Sequence, residues 1–158
     1  MELNKHVEEV VKFMKNAGQK TPESICNPSL DDRKLRANLI LEEVFELINR
    51  GLGLDVYLKP KDHYLDPVSS ADFDLSLTEN GASDIVEAMD GAADLFWVGV
   101  AGTSIIFGCQ LEPVLNEVNR SNASKFIDGH RREDGKWVKG PSYTPADVQS
   151  VLLDRIPF

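Results

Sequence analysis

The chain has 158 residues, enough for one domain with its own core, and its 42% hydrophobic and 27% charged content is that of an ordinary globular protein. A formal charge of −9 excludes a protein that lives on nucleic-acid polymers, but not a small anionic ligand where a metal or basic patch reverses the local field. The start, Met1-Glu2-Leu3-Asn4-Lys5, lacks a signal peptide's apolar run, and the greasiest stretch, Leu95 to Phe107, is short for a bilayer. Cys26 and Cys109 stand in no metal-ligand spacing, so a cytoplasmic chain with reduced structural thiols and no membrane partner is expected.

Leu3, Val7, Val10, Val11 and Met14 recur at helical spacing, which predicts an amphipathic helix over residues 2–16, ended by Gly18. A turn-rich link with Pro22 and Pro28 follows. Asp31 or Asp32 is placed to cap a second helix running to Arg50, stopped by Gly51 and Gly53. Residues 52–82, broken by Pro60, Pro67 and Gly81, read as an irregular excursion with a short helix or strand near Val56–Leu58. Asp84 to Phe107 is the longest helical stretch and ends at Gly108. Pro113 suits the first turn of a helix reaching about Ser124. Asp134-Gly135 then predicts a small hairpin or ordered loop between Ile127–Arg132 and Lys136–Val138, and Pro145 opens a last helix through Leu153. The expected fold is an all-α bundle of four to five main helices with a short ordered tail. It forms a single domain over 1–158, with 52–82 as a candidate insertion.

The second helix carries Glu42, Glu43 and Glu46 within an arc of about 100°, little more than a quarter of its circumference, with Ile40, Val44, Leu47 and Ile48 on the other side. Such a face is most simply a solvated one. Leu35 and Leu39, on the same stripe one and two turns earlier, argue instead that the stripe begins as buried surface. The helix from Asp84 is more telling. Ser83 to Leu111 contains no Lys, Arg or His, yet Glu87, Asp90 and Asp94 share one face that continues through Val98, Ala101 and Ile105. Apart from Asp84 at its start, the rest is apolar or small, the pattern of burial on every side. Acids on such a helix need a proton, an arginine from another segment, or a metal.

An oxygen-only cluster suits Mg²⁺ or Mn²⁺ rather than zinc. A di-iron bundle would need Glu-x-x-His pairs, which His6, His63 and His130 do not form. Carboxylate-held magnesium is most useful against phosphates. Arg120, Lys125, Arg131, Arg132, Lys136 and Lys139 supply cations for the outer phosphates, although each also reads as a solvated surface charge.

These residues resemble the MazG-like all-α nucleoside triphosphate pyrophosphohydrolases, whose mark is Glu-Glu-x-x-Glu followed by Glu-x-x-Asp, matched here by Glu42, Glu43, Glu46, Glu87 and Asp90. Asp90-Gly-Ala-Ala-Asp94-Leu-Phe-Trp-Val, the run Asn119 to Lys125 and the run Asp134 to Pro141 are similar to the dimeric-dUTPase-like branch. The resemblance implies hydrolysis of a nucleoside triphosphate, a pyrimidine such as dUTP or dCTP, between the α and β phosphates. It implies Glu42, Glu46, Glu87 and Asp90 as metal ligands, and Glu43 as a ligand or the base that positions water. Asn122, Lys125, Lys136 and Lys139 would hold phosphates or ribose, and the chain would assemble as a homodimer or homotetramer. Asp94 stands as an adjacent ligand or a group behind the ligands. Gln19 has the donor and acceptor pattern to read a pyrimidine edge, and equally suits a turn. The gap between Glu46 and Glu87 exceeds that usual in the family. Two alternatives remain: a helical nucleotide-binding or assembly protein without chemistry, and a phosphoribosyl-ATP pyrophosphohydrolase, ranked lower because of the tail runs.

Overall fold

A computed structural model describes residues 3–60 and 73–153. It is mostly helical, as expected, with two small antiparallel strand pairs. The chain packs as two compact units, one from Met1–Pro28 with Ser104–Phe158 and the other from Ser29–Thr103.

In the first unit, α1 (Leu3–Asn16) turns Val10 and Met14 inward, each 1% exposed, four residues apart on one face. Gly18, at φ 70°, ends it: Gln19 N–H returns to the Met14 carbonyl at 2.8 Å and Gly18 N–H to Lys15 at 3.1 Å. Ile105 and Ile106, on α4 (Gly102–Ile106), are also buried. Helix α5 (Leu111–Ser124) follows, and α6 (Val148–Leu153) packs against it. The Asp134-Gly135 turn forms where expected. Gly135 adopts φ 83° and joins two-residue strands β3 (His130–Arg131) and β4 (Trp137–Val138). Helix α6 starts later than Pro145 suggested.

In the second unit, α2 (Leu30–Glu46) is capped by Ser29, whose hydroxyl oxygen accepts from Asp32 N–H at 3.2 Å. Asp31 and Asp32 instead occupy the first turn, where their charge suits the helix dipole. The helix does not run on regularly to Arg50, because a π-helical turn, Leu47–Gly51, takes over. A second π segment, Leu95–Ala101, continues α3 (Ile85–Asp94), which Asp84 caps by accepting from Val86 N–H at 2.8 Å.

The excursion is more regular than its composition suggested. Strands β1 (Leu54–Pro60) and β2 (Phe73–Glu79) pair antiparallel, with Val56 opposite Leu77. Asp55 closes their base, accepting from Asn49 and Asn80 side chains at 2.9 Å each. Residues 61–72 of the excursion lie outside the described residues.

Close backbone approach sets the register between α2 and α3. A Cβ on Gly51 would lie 2.5 Å from the Ala88 Cα, and one on Gly91 would lie 3.1 Å from the Leu47 Cα. Further along, Gly99 meets Ile40, Gly102 meets the Arg36 guanidinium, and Arg36 Nη1 donates to the Val98 carbonyl at 2.9 Å. The helices therefore run antiparallel along a seam of Arg36, Ile40, Glu43 and Leu47, at the four-three-four spacing of one helix face, which puts Glu43 beside Ile40 and Leu47 rather than on the other side from them as expected.

Two expectations fail here. Leu35 is 45% exposed, so the buried start of the stripe is Arg36 rather than Leu35. Nor is α3 buried on every side: Ile85, Val86 and Met89 are 77%, 72% and 63% exposed, because α3 packs on α2 with its small residues Ala88 and Gly91. Among the described residues no single helix is long and apolar enough to cross a membrane.

Candidate active site

Glu43 is the centre of the acidic group. Its place on the seam, level with the end of α3, leaves it only partly exposed. Burial holds its carboxyl above the usual carboxylate range. The charges of Asp94, Glu46, Glu42 and Asp90, in falling order, push it further the same way. Carboxylates from two helices, more than 40 positions apart in the sequence, thus gather around one side chain. Asp94 has the largest effect of the four, and the register explains why. Glu43 lies between the Leu47–Gly91 and Ile40–Gly99 contacts, which is where α3 presents Asp94. Glu87 sits two turns nearer the start of α3, in its exposed first turn, and is not among the charges acting on Glu43.

Glu46 meets Arg50 one turn on, with Arg50 Nη1 donating to its Oε2 at 3.1 Å, and both side chains are well exposed. A cation there competes only with a solvent-screened ion pair. Among the described residues no group of three or more His, Cys, Asp or Glu side chains is already drawn together to hold a metal ion. In kind the donor set suits Mg²⁺: every donor is a carboxylate oxygen, and the repulsion that raises Glu43 is what a divalent cation would relieve.

The other unit carries a basic group. Lys125 Nζ donates to Asn122 Oδ1 at 2.6 Å, and Lys139 Nζ stands 4.1 Å from the centre of the Tyr143 ring. Hydrogen bonds with Ser121 and Lys139, then the charges of Lys139 and Lys125, lower the Tyr143 pKa, so both lysines border one phenol. The tail is pinned against the end of α5 by Trp137, whose indole N–H donates to the Lys125 carbonyl at 2.6 Å and whose ring meets Phe126 at 4.9 Å. Asn122, Lys125 and Lys139 come together. Lys136 is exposed at the hairpin turn, where its backbone N–H donates to Asp134 Oδ1 at 3.1 Å. Gln19 is half-buried at the α1 stop, where its backbone makes the cap. Tyr143 went unnoticed in the sequence because it lies beyond the Asp134–Pro141 run and belongs to no periodic pattern.

Residues 7–122 match the family model described as phosphoribosyl-ATP pyrophosphohydrolase. The match includes α2, α3 and all six acids, and stops before Lys125, Lys136 and Lys139. Among curated proteins no match was found. The family description is that of the alternative ranked lower from the tail runs, so the dUTPase-like branch is not what the match supports. With the helical fold and the paired carboxylate helices already in place, the chain belongs to the phosphoribosyl-ATP pyrophosphohydrolase family, a family of hydrolases that cleave a nucleotide's phosphoanhydride bond.

Proposed function

We propose that the chain hydrolyses the bond between the α and β phosphates of a nucleoside triphosphate group in the presence of Mg²⁺, releasing pyrophosphate. The observation that carries this reading is the raised Glu43 carboxyl amid Asp94, Glu46, Glu42 and Asp90. Mg²⁺, with Mn²⁺ as substitute, would be held by Glu42, Glu46, Glu87 and Asp90, with Asp94 beside them. Bound there, the ion supplies charge to neutralise the phosphate oxygens.

Glu43 orients the attacking water and takes its proton. A carboxylate held above its ordinary pKa is the stronger base, provided it is ionised at the working pH. Lys125 and Lys139, with Asn122 and Lys136, take the negative charge of the outer phosphates or the ribose hydroxyls. Gln19 reads the base edge.

Two substrates share this chemistry. The tail runs favour a free pyrimidine triphosphate such as dUTP or dCTP, whereas the family description favours phosphoribosyl-ATP. A panel of deoxynucleoside and nucleoside triphosphates together with phosphoribosyl-ATP, assayed with Mg²⁺ for pyrophosphate and the matching monophosphate, decides between them. Orthophosphate as the product, or saturable nucleotide binding without turnover of any panel member, would overturn the enzymatic reading.

The exposed Ile85, Val86 and Met89 support self-association as a homodimer or homotetramer, since contiguous apolar side chains on a helix are costly in water.

A further inference from the structure

The two cysteines, far apart in the sequence, meet at one carbonyl. The Phe107 oxygen accepts from the backbone N–H of Cys26 at 3.1 Å and from the Cys109 thiol at 3.6 Å. The Cys26 thiol donates to the preceding carbonyl, that of Ile106, at 3.7 Å. Helix capping produces this meeting. Gly108, at φ 65°, ends α4 with the same pair of bonds that ends α1: Gly108 N–H to Ile105 and Cys109 N–H to Ser104, both 2.9 Å. Because Gly108 has no side chain, the Ser24 carbonyl lies where a Cβ would come within 2.0 Å. The segment Ser24–Cys26 therefore rests on the helix cap that fixes Cys109. Both thiols are free, with Cys26 exposed and Cys109 partly covered. Burial raises the Cys109 pKa, and the neighbouring Cys26 thiol raises it further.

We propose that Cys26 and Cys109 are a thiol-exchange site that forms a reversible intramolecular disulfide with a low-molecular-weight disulfide of the glutathione type. The exposed Cys26 thiolate attacks one sulfur of that reagent, forming a mixed disulfide and releasing one small thiol. The Cys109 thiolate then attacks the Cys26 sulfur and expels the second. The two cysteine S–H protons end on the two released thiols, the reagent's S–S bond is reduced, and the protein's is formed.

The chain leaves its first unit after Pro28 and returns at Ser104. A bond between Cys26 and Cys109 therefore closes a covalent loop around the whole carboxylate-bearing unit, at the point of exit and return. Such a long loop loses much of its freedom in the unfolded state, so oxidation stabilises the fold. This inference does not depend on the proposed activity.

The test incubates the full chain with oxidised glutathione, alkylates the remaining thiols, and maps unreduced peptides by mass spectrometry. The expected result is loss of both free thiols, a Cys26–Cys109 linked peptide, and a Tm that rises by several degrees and returns with dithiothreitol. Cys26→Ser and Cys109→Ser should each abolish the linked peptide and the Tm rise. A glutathione adduct that persists on Cys26 beside a free Cys109, disulfides only between chains, or two unreacted thiols would overturn the assignment.

Discussion

Glu43, in the role proposed for it, would serve chemistry at the expense of stability. Its neighbours repel its charge and its burial disfavours it, so the folded state holds the proton more tightly than the unfolded chain does. The metal-free protein is therefore penalised above the ordinary carboxylate range, and the penalty disappears as pH falls and Glu43 is protonated. Glu43→Gln removes that charge while keeping the shape. We expect it to lower kcat at least ~10²-fold, and to raise the Tm of the metal-free protein at neutral pH by about 2–4 °C. Kinetics and thermal denaturation on the same preparation check both, and an active variant with unchanged Tm would remove Glu43 from its assigned role. Glu117 is the opposite case. Arg120, at 2.7 Å, and the Asp147 backbone N–H hold its carboxyl down to about 2. Its contribution is present above the ordinary value of 4.5 and is lost as pH falls through about 2. Glu117→Gln should lower the Tm at pH 7 and make little difference near pH 2; an equal gap at both ends would show that the ion pair is not the cause.

The two carboxylate-bearing helices come together only because small residues let their backbones approach. Gly51 and Gly91 act by absence: the first faces the Ala88 backbone and the second the Leu47 backbone. Gly51→Ala would place a methyl 2.5 Å from a backbone atom with no flexible side chain to give way, and should cost ~1–3 kcal/mol. Gly91→Ala, at 3.1 Å, should cost less. Urea denaturation ranks the pair, and the reverse order would mean that the seam is drawn in the wrong register. The π segments belong to the same scale. Each begins directly after a carboxylate of the candidate site, Glu46 in one helix and Asp94 in the other. An inserted residue rotates everything that follows relative to a regular helix. A wheel drawn at 100° per residue is therefore sound within Glu42–Glu46 and within Glu87–Asp94, and misleading beyond either end.

Across the whole chain, a cation that binds only the folded carboxylate group must stabilise it. Millimolar Mg²⁺ should raise the Tm by a few degrees, and Glu46→Gln or Asp90→Asn should blunt the rise. A Tm indifferent to Mg²⁺ in the unaltered chain would count against a carboxylate-held ion. The apolar exposure on α3 leads to a second expectation. Sedimentation should give a mass above the 17.6 kDa of one chain, and Met89→Lys should shift it toward that value. A native chain that sediments as a monomer would leave Ile85, Val86 and Met89 unexplained by self-association.

Helix positions, their glycine stops and the Asp134-Gly135 turn were legible in residue order, because capping, turn formation and helical period are local properties. Spacing alone gathered Glu42, Glu43 and Glu46 on one arc, and Glu87, Asp90 and Asp94 on another. Which acids face one another depended on an antiparallel register set by Gly51, Gly91, Gly99 and Gly102, and a glycine's value as a contact exists only once a partner lies against it. Packing made Arg36 the buried residue in place of Leu35, and Asp94 rather than Glu87 the strongest charge on Glu43. The strand pairing of the excursion and the meeting of Cys26 with Cys109 were likewise tertiary outcomes. Each joins segments whose separate patterns carry no trace of the other.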